Sequence, residues 1–180
     1  MITAIIQARL NSSRLKKKVL LKIEDKSILE HLFSQLSHSI RIDKKIIATT
    51  TERIDDEIET FAKSNNLSYF RGESLNVLDR YYQCAKSFNL ENIVRISSDA
   101  PLIDPGIVDE TIEYYEKNDF DYVNNFFNRT YPVGTEVEVF SFKTLEKCWM
   151  IAKKSSEKEH VTPFIYNHPE LFKIGFIEYP

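Results

Sequence analysis

Ile2-Thr3-Ala4-Ile5-Ile6, followed at once by Gln7-Ala8-Arg9-Leu10-Asn11-Ser12-Ser13-Arg14-Leu15-Lys16-Lys17-Lys18, is the stretch from which the fold can be read. The apolar run suits one buried strand. Behind it comes a short polar loop with five cationic side chains, Arg9, Arg14, Lys16, Lys17 and Lys18, and three small hydrogen-bonding residues, Asn11, Ser12 and Ser13. Cations crowded on one loop repel one another, a cost that an anion in the loop removes. Open α/β sheets bind ligands at the carboxyl ends of their strands. This strand and loop therefore predict such a sheet, with a phosphate-rich ligand at that end. A solvated charge run is the plainer alternative, and the strand-to-loop context weighs against it. The loop has no glycine and no G-K-[ST], so it is not a Walker loop.

Moving outward, strand-like and helix-like stretches alternate, as expected for a mostly parallel sheet flanked by helices. After a first strand at Thr3–Ala8, Ser27-Ile28-Leu29-Glu30 has the form of a capping box. It opens a helix with Leu29, Leu32, Phe33 and Leu36 on one face. Lys45–Thr49 reads as the second strand, and Asp55, Asp56 and Glu57 supply the negative charge that a helix start favours. Ser68–Arg71, Asn92–Ser97, Tyr122–Phe127, Glu136–Phe140 and Lys173–Tyr179 read as further strands. Val77–Phe88, Asp104 to about Lys117, Phe142–Ala152 and an interrupted Ser156–Asn167 read as helices. The final strand is expected to lie inside the sheet or to be covered, because an unpaired edge is a liability.

The 180 residues fit one domain with a sizeable core. A net charge of −3 argues against a general nucleic-acid binder, since the positive charge is local. No segment reaches the ~18–20 consecutive apolar residues of a membrane span. Ile2–Ile6 is too short for a signal-peptide core and no basic segment precedes it, so a cytoplasmic location is expected. Cys84 and Cys148 fall in amphipathic helical patterns and are expected to be buried free thiols.

Four further clusters can carry chemistry. Asp99 and Asp104 follow the Asn92–Ser97 strand. Asp104 precedes Pro105 and is most simply a helix N-cap. Asp99 has no such structural duty, and a carboxylate there can hold a hard cation such as Mg²⁺ together with substrate phosphates. Arg71, Asp79 and Arg80 form a second cluster, which also reads as ordinary surface pairing. Glu136 and Glu138 stand two apart and point to one face of a strand, either a solvent stripe or a binding face. His160 lies near a helix start, and no Ser-His-Asp pattern accompanies it.

In this order the blocks IIQARLNSSRLKKKVL (5–20), IIATTTERIDDEI (46–58), FRGESLNVLDRYYQCA (70–85), IVRISSDAPLIDP (93–105), TYPVGTEVEVFSF (130–142) and EKEHVTPFI (157–165) resemble the cytidylyltransferase family. That family includes the spore coat polysaccharide biosynthesis protein F group, and its wider relatives make the CMP-activated forms of Kdo and acylneuraminate. The resemblance covers Ile5 to about Tyr179. It implies a nucleotide-diphospho-sugar transferase-like, Rossmann-like α/β fold, CTP as donor, Mg²⁺ as cofactor, a sugar or sugar-acid acceptor and, as in related synthetases, a homodimer.

Residue by residue, the resemblance places Arg9, Ser13, Arg14 and Lys18 on the nucleotide and phosphate loop, with Arg14 and Lys18 stabilising the phosphoryl oxygens during transfer. Ala8 falls beside the base, and Arg71, Asp79 and Arg80 fall near the nucleotide. Asp99 takes the metal-binding position, while Glu136, Glu138 and His160 face the acceptor. Departures from the family pattern are Asn11 in place of glycine, Lys16-Lys17 in place of Pro-Gly, and Ser98 in place of the glycine before Asp99. Asn11 tolerates left-handed backbone and is expected to preserve the turn. Family members usually continue past the position of Pro180 and supply a second metal-coordinating aspartate there, so residues 1–180 read as a single domain without that segment. Two other classes stay open: a metal-dependent glycosyltransferase using Asp119-Phe120-Asp121, and a non-catalytic nucleotide-binding homologue.

Overall fold

The structure is a computed structural model that describes residues 1–12 and 15–179. In chain order it comprises β1 (Ile2–Gln7), β2 (Lys22–Ile23), β3 (Lys26–Ser27), α1 (Ile28–Leu36), β4 (Lys44–Thr50), α2 (Asp56–Ser64), β5 (Ser68–Gly72) and α3 (Val77–Ser87). There follow β6 (Asn92–Ser97), α4 (Pro105–Lys117), β7 (Tyr122–Asn124), β8 (Glu138–Ser141), α5 (Phe142–Ile151), α6 (Ser155–Lys158), α7 (Pro163–Asn167) and β9 (Ile174–Phe176). The main sheet has seven strands in the order β5-β4-β1-β6-β8-β7-β9. Strands β5, β4, β1 and β6 are parallel, while β8 runs antiparallel to both β6 and β7.

This topology positions the site. After β1 the chain crosses to β4 and β5 on one side, then returns to place β6 on the other side of β1. The order therefore reverses between β1 and β6, and a crevice opens at their carboxyl ends. The alternation of β1 divides the core into two layers. Ala4 and Ile6 pack with Leu29 and Leu32 of α1, Ile58 of α2 and Val108 of α4. Ile5 packs on the opposite face with Leu78 and Tyr81 of α3 and Leu145 of α5. Cys84 and Cys148 are buried free thiols in that second layer.

Ser27 and Glu30 form the expected reciprocal capping box at α1, and Asp104 caps α4 by accepting from the Gly106 amide at 2.7 Å. Three strands differ from their sequence expectation. β7 stops at Asn124, whose Oδ1 accepts from the Phe126 and Phe127 amides and turns the chain away. β8 begins at Glu138 rather than Glu136; it is buried on both faces, with Val139 in one layer and Phe140 in the other. β9 is only three residues long and lies at the sheet edge against β7. The small β2–β3 hairpin carries no sequence signal beyond its polarity. No described helix is long and apolar enough to cross a membrane.

Candidate active site

The loop after β1 is built around Leu10. Its side chain is fully buried in the first core layer, and its carbonyl accepts from the Ser12 amide at 3.0 Å and the Lys17 amide at 2.8 Å. A 3₁₀ turn over Lys18–Leu20 follows. The turn presents Lys18, whose Nζ donates to Asp99 Oδ2 at 2.5 Å across 81 positions of sequence. The other oxygen of Asp99 accepts from Ser97 Oγ at 2.5 Å. Burial raises the Asp99 carboxyl, but the hydrogen bonds from Lys18 and Ser97 outweigh it and hold the group below its ordinary value. Asp99 is thus ionised at neutral pH, and its side chain keeps 40% of its surface exposed.

The left-handed turn of this loop falls on Lys17 (φ 56°), the second residue of the Lys16-Lys17 pair, and not on Asn11. Lys17 also turns away from the crevice and pairs with Glu57 at 2.5 Å. Left-handed backbone costs a residue with a Cβ about 1–2 kcal/mol. Both Lys17→Ala and Lys17→Gly remove the exposed ion pair, but only glycine relieves the backbone. We expect Lys17→Gly to melt about 2–4 °C above Lys17→Ala, corresponding to roughly 1 kcal/mol. Equal melting temperatures in a calorimetric scan would contradict this.

A cleft of about 240 Å³ occupies the switch point and is lined by Ala8, Arg9, Lys18, Arg80, Asp99 and His160, among others. These six residues, all singled out in the sequence, therefore converge. Arg80 comes from α3 and is almost wholly buried; its Nη1 donates to the Glu73 carbonyl at 2.5 Å. Its buried Nε has no partner among the described residues, and burial lowers its pKa. Gly72 makes room for it, since a Cβ there would stand 3.0 Å from the Arg80 side chain and 2.8 Å from the Phe70 ring.

A second cleft, of about 430 Å³, adjoins the first and shares Ser97 and Asp99 with it. Its remaining walls include Arg95, Phe126, Arg129 and Glu136. Glu136 pairs with Arg129 at 2.9 Å and also accepts from the Gly134 amide at 2.9 Å.

The other residues singled out lie elsewhere. Ser13 and Arg14 fall outside the described residues. Arg71 lines neither cleft; it donates to the Thr50 and Glu52 carbonyls and pairs with Asp56 and Glu59. Hydrogen bonds from Lys63, Arg71 and Tyr69 bring Glu59 down to about 2. Asp79 accepts from Trp149 Nε1 at 2.8 Å, tying α3 to α5, and also lines neither cleft. Glu138 lines neither cleft. It is 2% exposed and accepts from Arg95, from Tyr122 Oη at 2.6 Å and from Thr162 Oγ1 at 2.5 Å. His160 faces the first cleft rather than the second.

Sequence reasoning missed Gln7 in the first cleft and Arg95, Phe126 and Arg129 in the second. Arg95 carries the one usable signal, an arginine inside the otherwise apolar run Ile93-Val94-Arg95-Ile96. The Asp119-Phe120-Asp121 segment lies before β7, at the opposite end of the sheet, where both acids hold Lys173. It does not meet either cleft.

A sheet whose order reverses at β1, with a basic loop facing an aspartate across the reversal, defines the class: an open α/β fold with its ligand crevice at the carboxyl ends of the parallel strands. Residues 3–179 match the family model described as Cytidylyltransferase, and the chain belongs to that family. It is 44% identical over 179 residues to an uncharacterized protein of Methanocaldococcus jannaschii, spanning 99% of this chain and 72% of that one. It is 32% identical over 186 residues to the spore coat polysaccharide biosynthesis protein SpsF of Bacillus subtilis, spanning 99% of this chain and 75% of that protein. Among solved structures, a cytidylyltransferase from Leptospira borgpetersenii superposes with a TM-score of 0.94 at 34% identity, covering 99% of this chain and 76% of that one. Nucleotidyl transfer from CTP is accordingly the activity class of this enzyme.

Proposed function

We propose that the enzyme transfers CMP from CTP to an oxygen of a sugar or sugar acid, releasing pyrophosphate, for the synthesis of a surface polysaccharide or related glycan. One observation carries this reading: Lys18 and Asp99 meet at 2.5 Å where the two clefts join. The triphosphate would lie in the first cleft, against Arg9 and Lys18. The acceptor would lie in the second, between Phe126, Arg95 and Arg129. The clefts share Asp99, so the attacking oxygen and the α-phosphorus would approach each other there. Phosphoryl-type transfer needs little beyond such positioning and neutralisation of developing charge. The biosynthetic role leans on the likeness to the spore coat protein.

Asp99 would hold Mg²⁺. The donor fits in chemistry: Asp99 is a partly exposed carboxylate shared by both clefts, and Mg²⁺ needs only one or two carboxylates when phosphates supply the rest. When bound, the ion polarises phosphoryl oxygens. Lys18 would leave Asp99 for the phosphates as the substrate enters, and Arg9 would orient the triphosphate.

The test is a panel of nucleoside triphosphates crossed with sugars and sugar acids, read by pyrophosphate release with Mg²⁺ present. We expect release with CTP, dependent on acceptor. Transfer from an intact nucleotide-sugar without pyrophosphate would replace this reading with glycosyl transfer, and CTP binding without turnover on any acceptor would leave a nucleotide-binding homologue.

A further inference from the structure

Asp55 occupies the N-cap position of α2, where an aspartate ordinarily accepts from the helix's own first N–H groups. It makes no such bond. Although it lies in the second βα unit, both its oxygens serve other parts of the chain. Oδ1 accepts from the Leu10 amide at 2.7 Å, across 45 positions, and Oδ2 accepts from Thr50 Oγ1. The carboxylate is 1% exposed and Leu10 is fully buried, so bulk water does not compete for this hydrogen bond.

Leu10 is also the pivot of the basic loop. Its amide is held by Asp55, and its carbonyl receives the Lys17 amide, closing the loop one residue before Lys18. Glu57, in the first turn of the same helix, pairs with Lys17 and ties the loop's far end. Arg9 and Lys18, the two described loop cations that line the first cleft, flank this closure on either side.

We propose that Asp55 is a positioning residue for nucleotide binding: through the Leu10 amide it fixes the start of the basic loop and so sets how Arg9 and Lys18 reach the triphosphate. This rests on the reading of the first cleft as the CTP site. Removing the carboxylate leaves a buried donor unpaired and lets the loop shift, and displacements of about 1 Å can cost a reaction on the order of 10²-fold.

The test uses the full chain carrying Asp55→Ala or Asp55→Asn. We expect Asp55→Ala to raise KM for CTP about tenfold or more and leave the acceptor KM unchanged. Asp55→Asn keeps a carbonyl oxygen for the Leu10 N–H and should stay within about threefold of wild type. Amide exchange at Leu10 should quicken in the alanine variant and not in the asparagine variant. A role in folding alone would lower the active fraction, hence apparent kcat, with both KM values intact; that result, or unchanged exchange at Leu10, overturns the proposal. If Asp55→Ala does not fold, Asp55→Ser carries the same readouts, since its hydroxyl is too short to reach the Leu10 amide. Should wild type fail to use CTP, the donor reading falls while the exchange result still decides the role of Asp55 in the loop.

Discussion

Asp99→Ala lowers kcat/KM for CTP by about 10²–10³-fold while the melting temperature changes little, the scale expected when one pre-organised electrostatic group is lost from a transfer site. The reasoning starts from its surroundings. The only nearby cation bonded to Asp99 among the described residues is Lys18, and that pair is partly exposed on both sides, at 29% and 40%. Partly exposed pairs add about 0–1 kcal/mol to stability, so the fold does not depend on this one. Asp99 is instead the point shared by both clefts. Because its folded pKa is lowered, whatever stability the ion pair adds is present above the unfolded value and fades as pH falls through the folded one. At neutral pH that contribution is fully present but is no more than about 1 kcal/mol, so the loss of turnover in Asp99→Ala stands clear of the small loss of stability. Lys18→Ala should fall in the same range, and the double variant should lose little more than the worse single one, because both act on one bound triphosphate. Pyrophosphate release measured alongside thermal melts decides it. Near-wild-type release in either single variant would remove that residue from the chemistry.

What the sequence made legible, and what it hid, divides by the range of the interaction. Local patterns read well. The apolar runs of β1, β4 and β6 and the Ser27–Glu30 box report their own structure, because strands and caps depend on neighbours a few positions away. The meeting of Lys18 and Asp99 was also within reach, since both follow parallel strands and the carboxyl ends of an open sheet share one edge. Pairings between distant segments were not. Glu138 looks like half of a solvent stripe with Glu136 until Arg95, 43 positions away, is placed beneath it. Arg71 reads as a nucleotide contact until Glu59 and the Thr50 carbonyl occupy its guanidinium. Asp79 is claimed by Trp149 across 70 positions. The left-handed turn at Lys17 has no side-chain signal, because lysine does not favour that backbone; the closure of Leu10 onto residue 17 imposes it.

The second large effect is on stability and lies beside the second cleft. Glu138 is 2% exposed and accepts three hydrogen bonds, from Arg95, Tyr122 and Thr162. These partners come from β6, β7 and the turn before α7, so one carboxylate joins the parallel half of the sheet to its antiparallel half. Burial works against the charge on Arg95, and the Glu138 carboxylate more than reverses that, raising the guanidinium pKa. Burial and the same carboxylate raise Tyr122 well above its ordinary value. Glu138→Ala would leave a largely buried guanidinium without its counter-ion and two hydroxyls without their acceptor. Breaking a buried pair from one side costs about 3–5 kcal/mol, which for a chain of this length is a fall in melting temperature of about 10 °C. Replacing both partners, as in Arg95→Met with Glu138→Leu, removes the stranded charge along with its partner and should recover much of that loss. The pair thereby separates stability from function. The double variant recovers much of its melting temperature but still lacks Arg95 in the wall of the second cleft, so, if the acceptor binds there as proposed, its KM for the acceptor should rise while its KM for CTP holds. A Glu138→Ala variant within about 1 kcal/mol of wild type in urea titration would mean that water reaches Arg95 and does the carboxylate's work.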